Sequence, residues 1–162
     1  MVTLRDTVKA ILLLGTATLL AIPLSSLGRA HGEHESYSAG EPGTPQKPAR
    51  TVTVFMKDAD GKMAFVPNHL DVRKGEQIRF ILRNEGDTDH EFILATTTEN
   101  LKHAEIMKKN PDMEHDDPNM VRLAPKTDTE LLWKFTKPGK FEYSCLIPGH
   151  REAGMLGTIV VK

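Results

Sequence analysis

From residue 51 to the last residue, the chain consists of short β-prone segments separated by turn residues, and this pattern restricts the fold more than any other feature. The first segment, Thr51–Lys57, alternates threonine and valine before a phenylalanine. A later segment places Ile78, Phe80 and Leu82 on one face of a strand. Many short strands with intervening turns are typical of a β-sandwich or barrel, so the sequence predicts an all-β fold. Further strands are expected at 62–66, 70–73, 90–94, 121–123, 129–135, 140–145 and 157–161.

One segment interrupts this β pattern. Leu101, Ala104 and Met107 recur at helical spacing, and Asn110 followed by a proline ends the pattern. We therefore expect a single short helix within an insertion at 95–120, whose remainder is a charged loop.

Length and composition set the number of domains and the class of ligand. With 162 residues and 39% hydrophobic residues, the chain can bury one sizeable core. Its net charge of -1 provides no basic surface for nucleic acid, so no nucleic-acid partner is expected. The seven histidines and seven methionines favour a metal ion as ligand. Large aromatic residues on the predicted strands are assigned to the core: Phe80, Phe92, Trp133, Phe135 and Phe141.

The N-terminal residues have the pattern of an export signal. Arg5 and Lys9 precede an apolar run at 10–22, and Gly28 and Ala30 are the small residues that a signal peptidase accepts. An uncleaved membrane anchor is the alternative, but spanning a bilayer takes about 20 apolar residues and this run is shorter. We predict a signal peptide at 1–30, a periplasmic protein and no stable membrane insertion after cleavage.

Residues 31–50 differ in composition from the rest of the chain. They contain three prolines and three glycines and have no apolar period. Such a segment is typical of a flexible arm, here one that carries His31 and His34. The predicted domains are therefore a signal peptide at 1–30, an arm at 31–50 and a β domain at 51–162.

The only cysteine of the chain ends a predicted strand and begins a loop that carries two more metal donors. His150 and Met155 follow Cys145 at intervals of five residues. A lone cysteine in an exported chain cannot form an internal disulfide. A buried inert thiol is the simple alternative. A thiolate, an imidazole and a thioether on one loop are, however, donors that suit copper in both of its common oxidation states.

A second histidine must complete such a site. His90 begins a predicted strand after a polar loop, and a two-sheet sandwich can bring that strand start beside the end of another strand. Two histidines and a cysteine with a weak axial methionine form the blue-copper arrangement. The alternatives are a histidine that merely begins a strand and, for Met155, ordinary loop packing.

These residues resemble the cupredoxin family of blue type 1 copper proteins, which includes the plastocyanins and azurins. The resemblance covers about residues 51–162 and rests on the donor order His90, Cys145-x4-His150-x4-Met155, Gly75-Glu76 before a strand, Asp-His-Glu-Phe at 89–92 and Phe-Glu-Tyr-Ser-Cys at 141–145. The insertion, with Met-Glu-His-Asp-Asp-Pro-Asn at 113–119, is more similar to exported cupredoxins associated with bacterial copper tolerance.

The resemblance implies both a fold and a set of roles. The fold is a Greek-key β-sandwich of about eight strands in mixed sheets. One copper ion is held by the Cys145 thiolate, by imidazole nitrogens of His90 and His150, and by Met155 as the weak axial ligand. A rigid sheet keeps one ligand geometry for both oxidation states of copper. No residue supplies catalysis, so we do not expect an enzyme. We also expect a monomeric protein.

The biological purpose has three interpretations. An electron carrier would dock a redox partner through an apolar patch around His150, formed by Leu146, Ile147 and Ala153. A copper-tolerance protein would bind or oxidise excess periplasmic copper. A purely structural β-sandwich is the third, simplest interpretation.

Additional histidines and methionines raise the question of further copper. A copper-sequestering or copper-delivery protein without electron transfer would use them as ligands, since thioethers favour Cu(I). The alternative is a solvated arm and a packed helix face. The candidate secondary ligands are His31, His34, His103, Met107, Met113, His115 and Met120.

Overall fold

The computed structural model describes residues 37–59, 61–110 and 117–162. Within these ranges the chain forms ten strands and one helix. The strands are β1 (Glu41–Pro42), β2 (Arg50–Ala59), β3 (Lys62–Val66), β4 (His69–Val72), β5 (Gln77–Asn84), β6 (His90–Ala95), β7 (Met120–Leu123), β8 (Asp128–Lys134), β9 (Gly139–Ser144) and β10 (Leu156–Val161). The helix α1 is Thr97–Lys109. The predicted signal peptide and His31, His34, Met113 and His115 lie outside the described residues.

The strands form two five-stranded sheets that are each mixed. One sheet has the order β1-β8-β5-β2-β3 and the other the order β4-β10-β9-β6-β7. The pairs β2–β5 and β4–β10 are parallel, and the remaining pairs are antiparallel. This confirms the predicted all-β sandwich with one short helix. Nine strands lie where the sequence places them, and β1 is an additional strand.

The main hydrophobic core lies between the two sheets. The alternation read from the sequence is correct for β5, where Ile78, Phe80 and Leu82 are all fully buried. Phe80 meets Phe92 of the opposite sheet with ring centroids 5.2 Å apart. The five aromatic residues assigned to the core from sequence are all buried. Burying rings of this size, which interact edge-to-face or offset, accounts for a large part of the packing between the sheets.

The helix begins and ends for identifiable reasons. The Thr96 hydroxyl accepts a hydrogen bond from the backbone N–H of Glu99, whose carboxylate in turn accepts from the Thr96 backbone, which is a complete capping box. Asn110 caps the other end. Met107 is buried while Leu101 is 47% exposed, so the helix places its methionine against the sheet.

Residues 37–50 correct the prediction of a flexible arm. Glu41 pairs with Lys134 in the sheet, and Ala39 is fully buried beneath Trp133, whose indole N–H donates to the Ala39 carbonyl oxygen at 3.3 Å. A Cβ at Gly40, whose φ is +139°, would collide with the Lys134 carbonyl oxygen. This glycine therefore lets the segment lie close to β8, although the glycine content of the segment had favoured a flexible arm.

In the part of the chain that the structure describes, no helix has both the length and the apolar character needed to cross a bilayer.

Candidate metal centre

The site lies where the start of one strand meets the end of its neighbour. Strands β6 and β9 are antiparallel, with Ile93 opposite Ser144. The first residue of β6 is His90, and Cys145 directly follows the last residue of β9. In an antiparallel pair, the start of one strand lies beside the end of the other. Both side chains therefore lie at the same end of the sandwich, as the sequence predicted.

The loop that begins at Cys145 is closed by its own backbone. The Cys145 N–H donates to the Met155 carbonyl oxygen at 3.1 Å, and the Met155 N–H donates to the His150 carbonyl oxygen at 3.1 Å. Gly149 has a φ of +90° and Gly154 a φ of +107°, values that suit glycine. These bonds and turns fold the loop back on its start and hold His150 beside Cys145.

Three donor atoms converge at this pole. The Nδ1 atoms of His90 and His150 are 3.2 Å apart, and the Cys145 Sγ lies 3.3 Å from the His150 Nδ1. All three donor atoms lie within 4.8 Å of one another. Among the described residues, this is the one group of three or more histidine, cysteine or carboxylate donors that comes together in this way.

The geometry of these atoms fits a single metal ion. A metal–imidazole bond is about 2.0–2.1 Å long, so two nitrogens 3.2 Å apart can both bond the same ion. Without a cation or a proton between them, two imidazole lone pairs at this distance would repel each other. The donor set of two nitrogens and one sulfur is the set that copper takes in trigonal type 1 sites.

Burial controls the protonation of the donors. The side chains of His90 and Cys145 are fully buried and that of His150 is half-buried. Burial lowers the pKa of both imidazoles, and for His150 the neighbouring His90 lowers it further. Burial also raises the pKa of the Cys145 thiol to about 12, so the sulfur releases a proton when a metal binds.

Met155 is buried within the main core, and its backbone is tied to Cys145. Burial is expected both for an axial ligand and for a packing residue, the two interpretations that the sequence left open.

Two features of the site had no sequence prediction. The first is Asp58 near the end of β2, whose Oδ2 lies 3.3 Å from the His90 Nε2. The second is the ion pair between Arg151 and Glu142, in which Nη2–Oε2 is 3.0 Å and Nε–Oε1 is 3.2 Å. Each joins residues that are distant in sequence or separated by a loop, so no local spacing signals it.

The candidate secondary ligands that the structure describes, which are His103, Met107 and Met120, do not share one environment. Met107 is fully buried against Ile93 and Leu146, which supports the packing interpretation for it. His103 and Met120 both line a cavity of about 440 Å³, together with Asp117.

Leu146 was predicted to contribute to an apolar surface patch around His150. It is only 2% exposed, because it packs with Ile93 and Met107 beneath the helix. Ile147 and Ala153 are half-buried. The patch is therefore smaller than the sequence suggested.

Comparison with known proteins assigns the same region to one family. Residues 52–162 match the family model of copper-binding proteins of the plastocyanin/azurin type. The copper-resistant cuproprotein CopI of Rubrivivax gelatinosus is 46% identical over 139 residues, covering 83% of this chain and 82% of the relative. CopI of Pseudomonas aeruginosa is 32% identical over 162 residues, covering 82% of this chain and 85% of the relative.

Solved structures share the fold. Auracyanin B superposes with a TM-score of 0.61 at 24% identity, covering 76% of this chain and 96% of that chain. A multicopper oxidase from Campylobacter jejuni gives a TM-score of 0.51 at 14% identity over 74% of this chain and 31% of its own. The same sandwich is thus found in auracyanin B and in about a third of the multicopper oxidase chain.

Proposed function

Since this chain belongs to the plastocyanin/azurin family of copper-binding proteins, we propose that it binds one type 1 copper ion and serves copper tolerance in the bacterial periplasm. The observation that carries the proposal is the convergence of the His90, Cys145 and His150 donor atoms within 4.8 Å. Met155 is the proposed axial ligand.

The residues around the site have separate tasks. Copper supplies the one-electron couple between Cu(II) and Cu(I) when it is bound. Cys145 provides the thiolate after losing its proton, and the two neutral imidazoles provide nitrogens. The full burial of His90 and Cys145 excludes water from that side, while half-buried His150 is the edge through which an electron can pass.

The visible spectrum tests the site directly. We expect the Cu(II)-loaded protein to show a strong thiolate-to-copper charge-transfer band that Cys145→Ser abolishes. Ser144→Ala is the matched control, because it changes the adjacent fully buried hydroxyl and leaves the donor set intact. Absence of the band in the loaded wild-type protein would refute the type 1 assignment.

Copper tolerance is favoured over electron transfer because the relatives of similar length are named copper-resistant cuproproteins. Deleting the gene should sensitise cells to copper and leave respiration intact, and the Cys145→Ser form should fail to restore tolerance. Loss of electron flow to a defined oxidase or reductase would instead identify an electron carrier with a protein redox partner.

Sequestration of additional copper is a second candidate function. The cavity of about 440 Å³ that brings His103 and Met120 to one surface is the observation that favours it. Titration of the metal-free protein should then saturate above one copper, and His103→Ala combined with Met120→Leu should lower that stoichiometry. Saturation at one copper excludes this function.

Export, the absence of catalysis and a monomeric state complete the proposal. Mass spectrometry of the protein recovered from the periplasm should give a chain that begins at His31. Gel filtration should give a single monomeric species. The loaded protein should show no copper-oxidase turnover, which distinguishes it from oxidases that share the fold.

A further inference from the structure

The far side of the His90 ring faces a carboxylate. While Nδ1 of this fully buried ring points toward His150, its Nε2 lies 3.3 Å from the Asp58 Oδ2. In the described part of the chain, no well-aligned hydrogen-bond acceptor satisfies Nε2. Asp58 is thus the charged group within reach of a nitrogen that otherwise has no partner.

The position of the Asp58 carboxylate is fixed by a turn. The Asp87 N–H donates to Oδ1 at 3.0 Å, and the Thr88 N–H and hydroxyl donate to Oδ2 at 3.2 and 2.8 Å. A Cβ at Gly86 would lie 2.6 Å from Oδ2, so only glycine leaves space for the carboxylate here. The turn therefore holds an ionised carboxylate in one place beside the ring.

We propose that Asp58 is a positioning residue for the copper ligand His90, holding the ring with its proton on Nε2 and favouring Cu(II) over Cu(I). The inference rests on the proposed copper site. A carboxylate behind a ligating histidine fixes the tautomer and increases the donor strength of the other nitrogen. The negative charge also stabilises the more positive oxidation state of a nearby ion, because Coulomb attraction grows with charge.

A purely structural role makes a different prediction. If Asp58 only orders the turn at 86–88, its loss lowers stability and leaves the balance between Cu(II) and Cu(I) unchanged. The reduction potential therefore separates the two roles, and thermal unfolding of the same variants reports the structural part.

The first test is the reduction potential of Asp58→Asn. The substitution keeps an oxygen acceptor for the turn and removes the charge, so the potential should rise. A change of about tenfold in the ratio of Cu(II) to Cu(I) affinity is expected for a partner of this kind, equivalent to about 59 mV for one electron. Asp87→Asn is the matched control, because the Asp87 side chain is 86% exposed and pairs with Lys126. Equal shifts in both variants would overturn the inference.

The second test uses a substitution that should shift the reduction potential in the opposite direction. Thr88→Val removes the hydroxyl that donates to Oδ2, the same oxygen that faces His90. With one donor fewer, Oδ2 retains more of its negative charge for the ring, so the potential should fall. A rise or no change in Thr88→Val contradicts the proposal, and this result is decisive even if Asp58→Asn does not fold.

A third measurement needs no copper. Nitrogen NMR of the metal-free protein should show the His90 proton on Nε2 in the wild type and in Thr88→Val, and a larger Nδ1-protonated fraction in Asp58→Asn. A wild-type ring protonated at Nδ1 would contradict the inference.

If the loaded wild-type protein lacks the Cys145-dependent band, the proposed copper site itself is wrong. If the band is present and the reduction potentials are unchanged, only the proposed role of Asp58 is wrong.

Discussion

The two histidines of the candidate site are held by different kinds of structure. His90 is fully buried at the first position of β6 and is backed by Asp58. His150 is half-buried on a loop that is closed by short-range backbone hydrogen bonds. The difference indicates a division of work, in which the strand side sets the geometry of the donors and the loop side gives access to the surface.

The largest expected effect is a difference in chemical rescue between the two histidines. His90→Gly and His150→Gly should each weaken or abolish the thiolate-to-copper band. Added imidazole should restore the band in His150→Gly, where solvent reaches the position, and fail in His90→Gly, where the ring is fully buried. Titration of each variant with imidazole at constant copper measures this.

Wild-type protein with the same imidazole is the control and should keep its spectrum. Equal rescue of both variants would show that the strand side is as open as the loop side, and the proposed division of work would be wrong.

The second prediction concerns how well the folded protein shields the Cys145 thiol, at the start of the loop, when no metal is bound. Burial raises the pKa of the Cys145 thiol to about 12, compared with about 8.5 for an ordinary cysteine. Alkylation by iodoacetamide at pH 8 should therefore be about a thousandfold slower in the metal-free folded protein than in the same protein unfolded in guanidinium, because the thiolate reacts. A rate within about tenfold of the unfolded rate would mean that the loop opens readily.

How much of the structure could be predicted from the sequence depends on how far apart in the sequence the contacting residues are. The convergence of the candidate donors His90, Cys145 and His150 could be predicted because each is a residue with distinctive chemistry, and three of the four proposed ligands share one loop. The strands could be predicted because alternation is a local pattern. Asp58 could not, since an aspartate at a strand end is commonplace until the fold brings it to His90.

Residues 37–50 show the opposite error. Their proline and glycine content is that of a disordered segment, yet Ala39 is fully buried and Glu41 pairs with β8. Gly40 has a steric role against Lys134 that composition cannot reveal. Composition thus predicts disorder only where no distant surface accepts the segment, and Trp133 supplies such a surface here.

The third prediction compares an ion pair on each side of the site. Arg151 joins the loop to the buried carboxylate of Glu142, whose side chain is 7% exposed. Arg151→Met leaves that charge without its cationic partner, although Ser144 and Thr97 still donate to it. The change should lower the free energy of unfolding by about 3 kcal/mol, near the lower end for buried pairs because Arg151 is 21% exposed. Urea unfolding of the metal-free protein measures the loss.

Asp89→Asn is the matched variant on the strand side. It breaks the Arg122–Asp89 pair, in which both side chains are about 45% exposed, and leaves Arg122 Nη1 at 4.0 Å from the buried Glu91 carboxylate, so the change should cost less than about 1 kcal/mol. Equal losses would contradict the view that the loop depends on one buried ion pair.

The smallest expected effect is the pH dependence of the Glu142 contribution. Burial opposes ionisation of this carboxylate, but hydrogen bonds from Arg151 and Ser144 outweigh it and lower the pKa of Glu142 below 4.5. The folded state therefore binds its proton less readily than the unfolded state, and the stabilisation is complete above pH 4.5 and is lost as the pH falls through the folded pKa.

Metal-free Glu142→Gln should be less stable than the metal-free wild-type protein at pH 7. This gap in the free energy of unfolding should narrow below pH 4.5, as measured by urea unfolding. Glu130→Gln, which removes a carboxylate that is 54% exposed, should leave a small gap at pH 7. A Glu142→Gln gap that stays constant into acid would mean that the Arg151 pair orients the loop without contributing charge-dependent stability, and the loop side would then depend on its backbone hydrogen bonds alone.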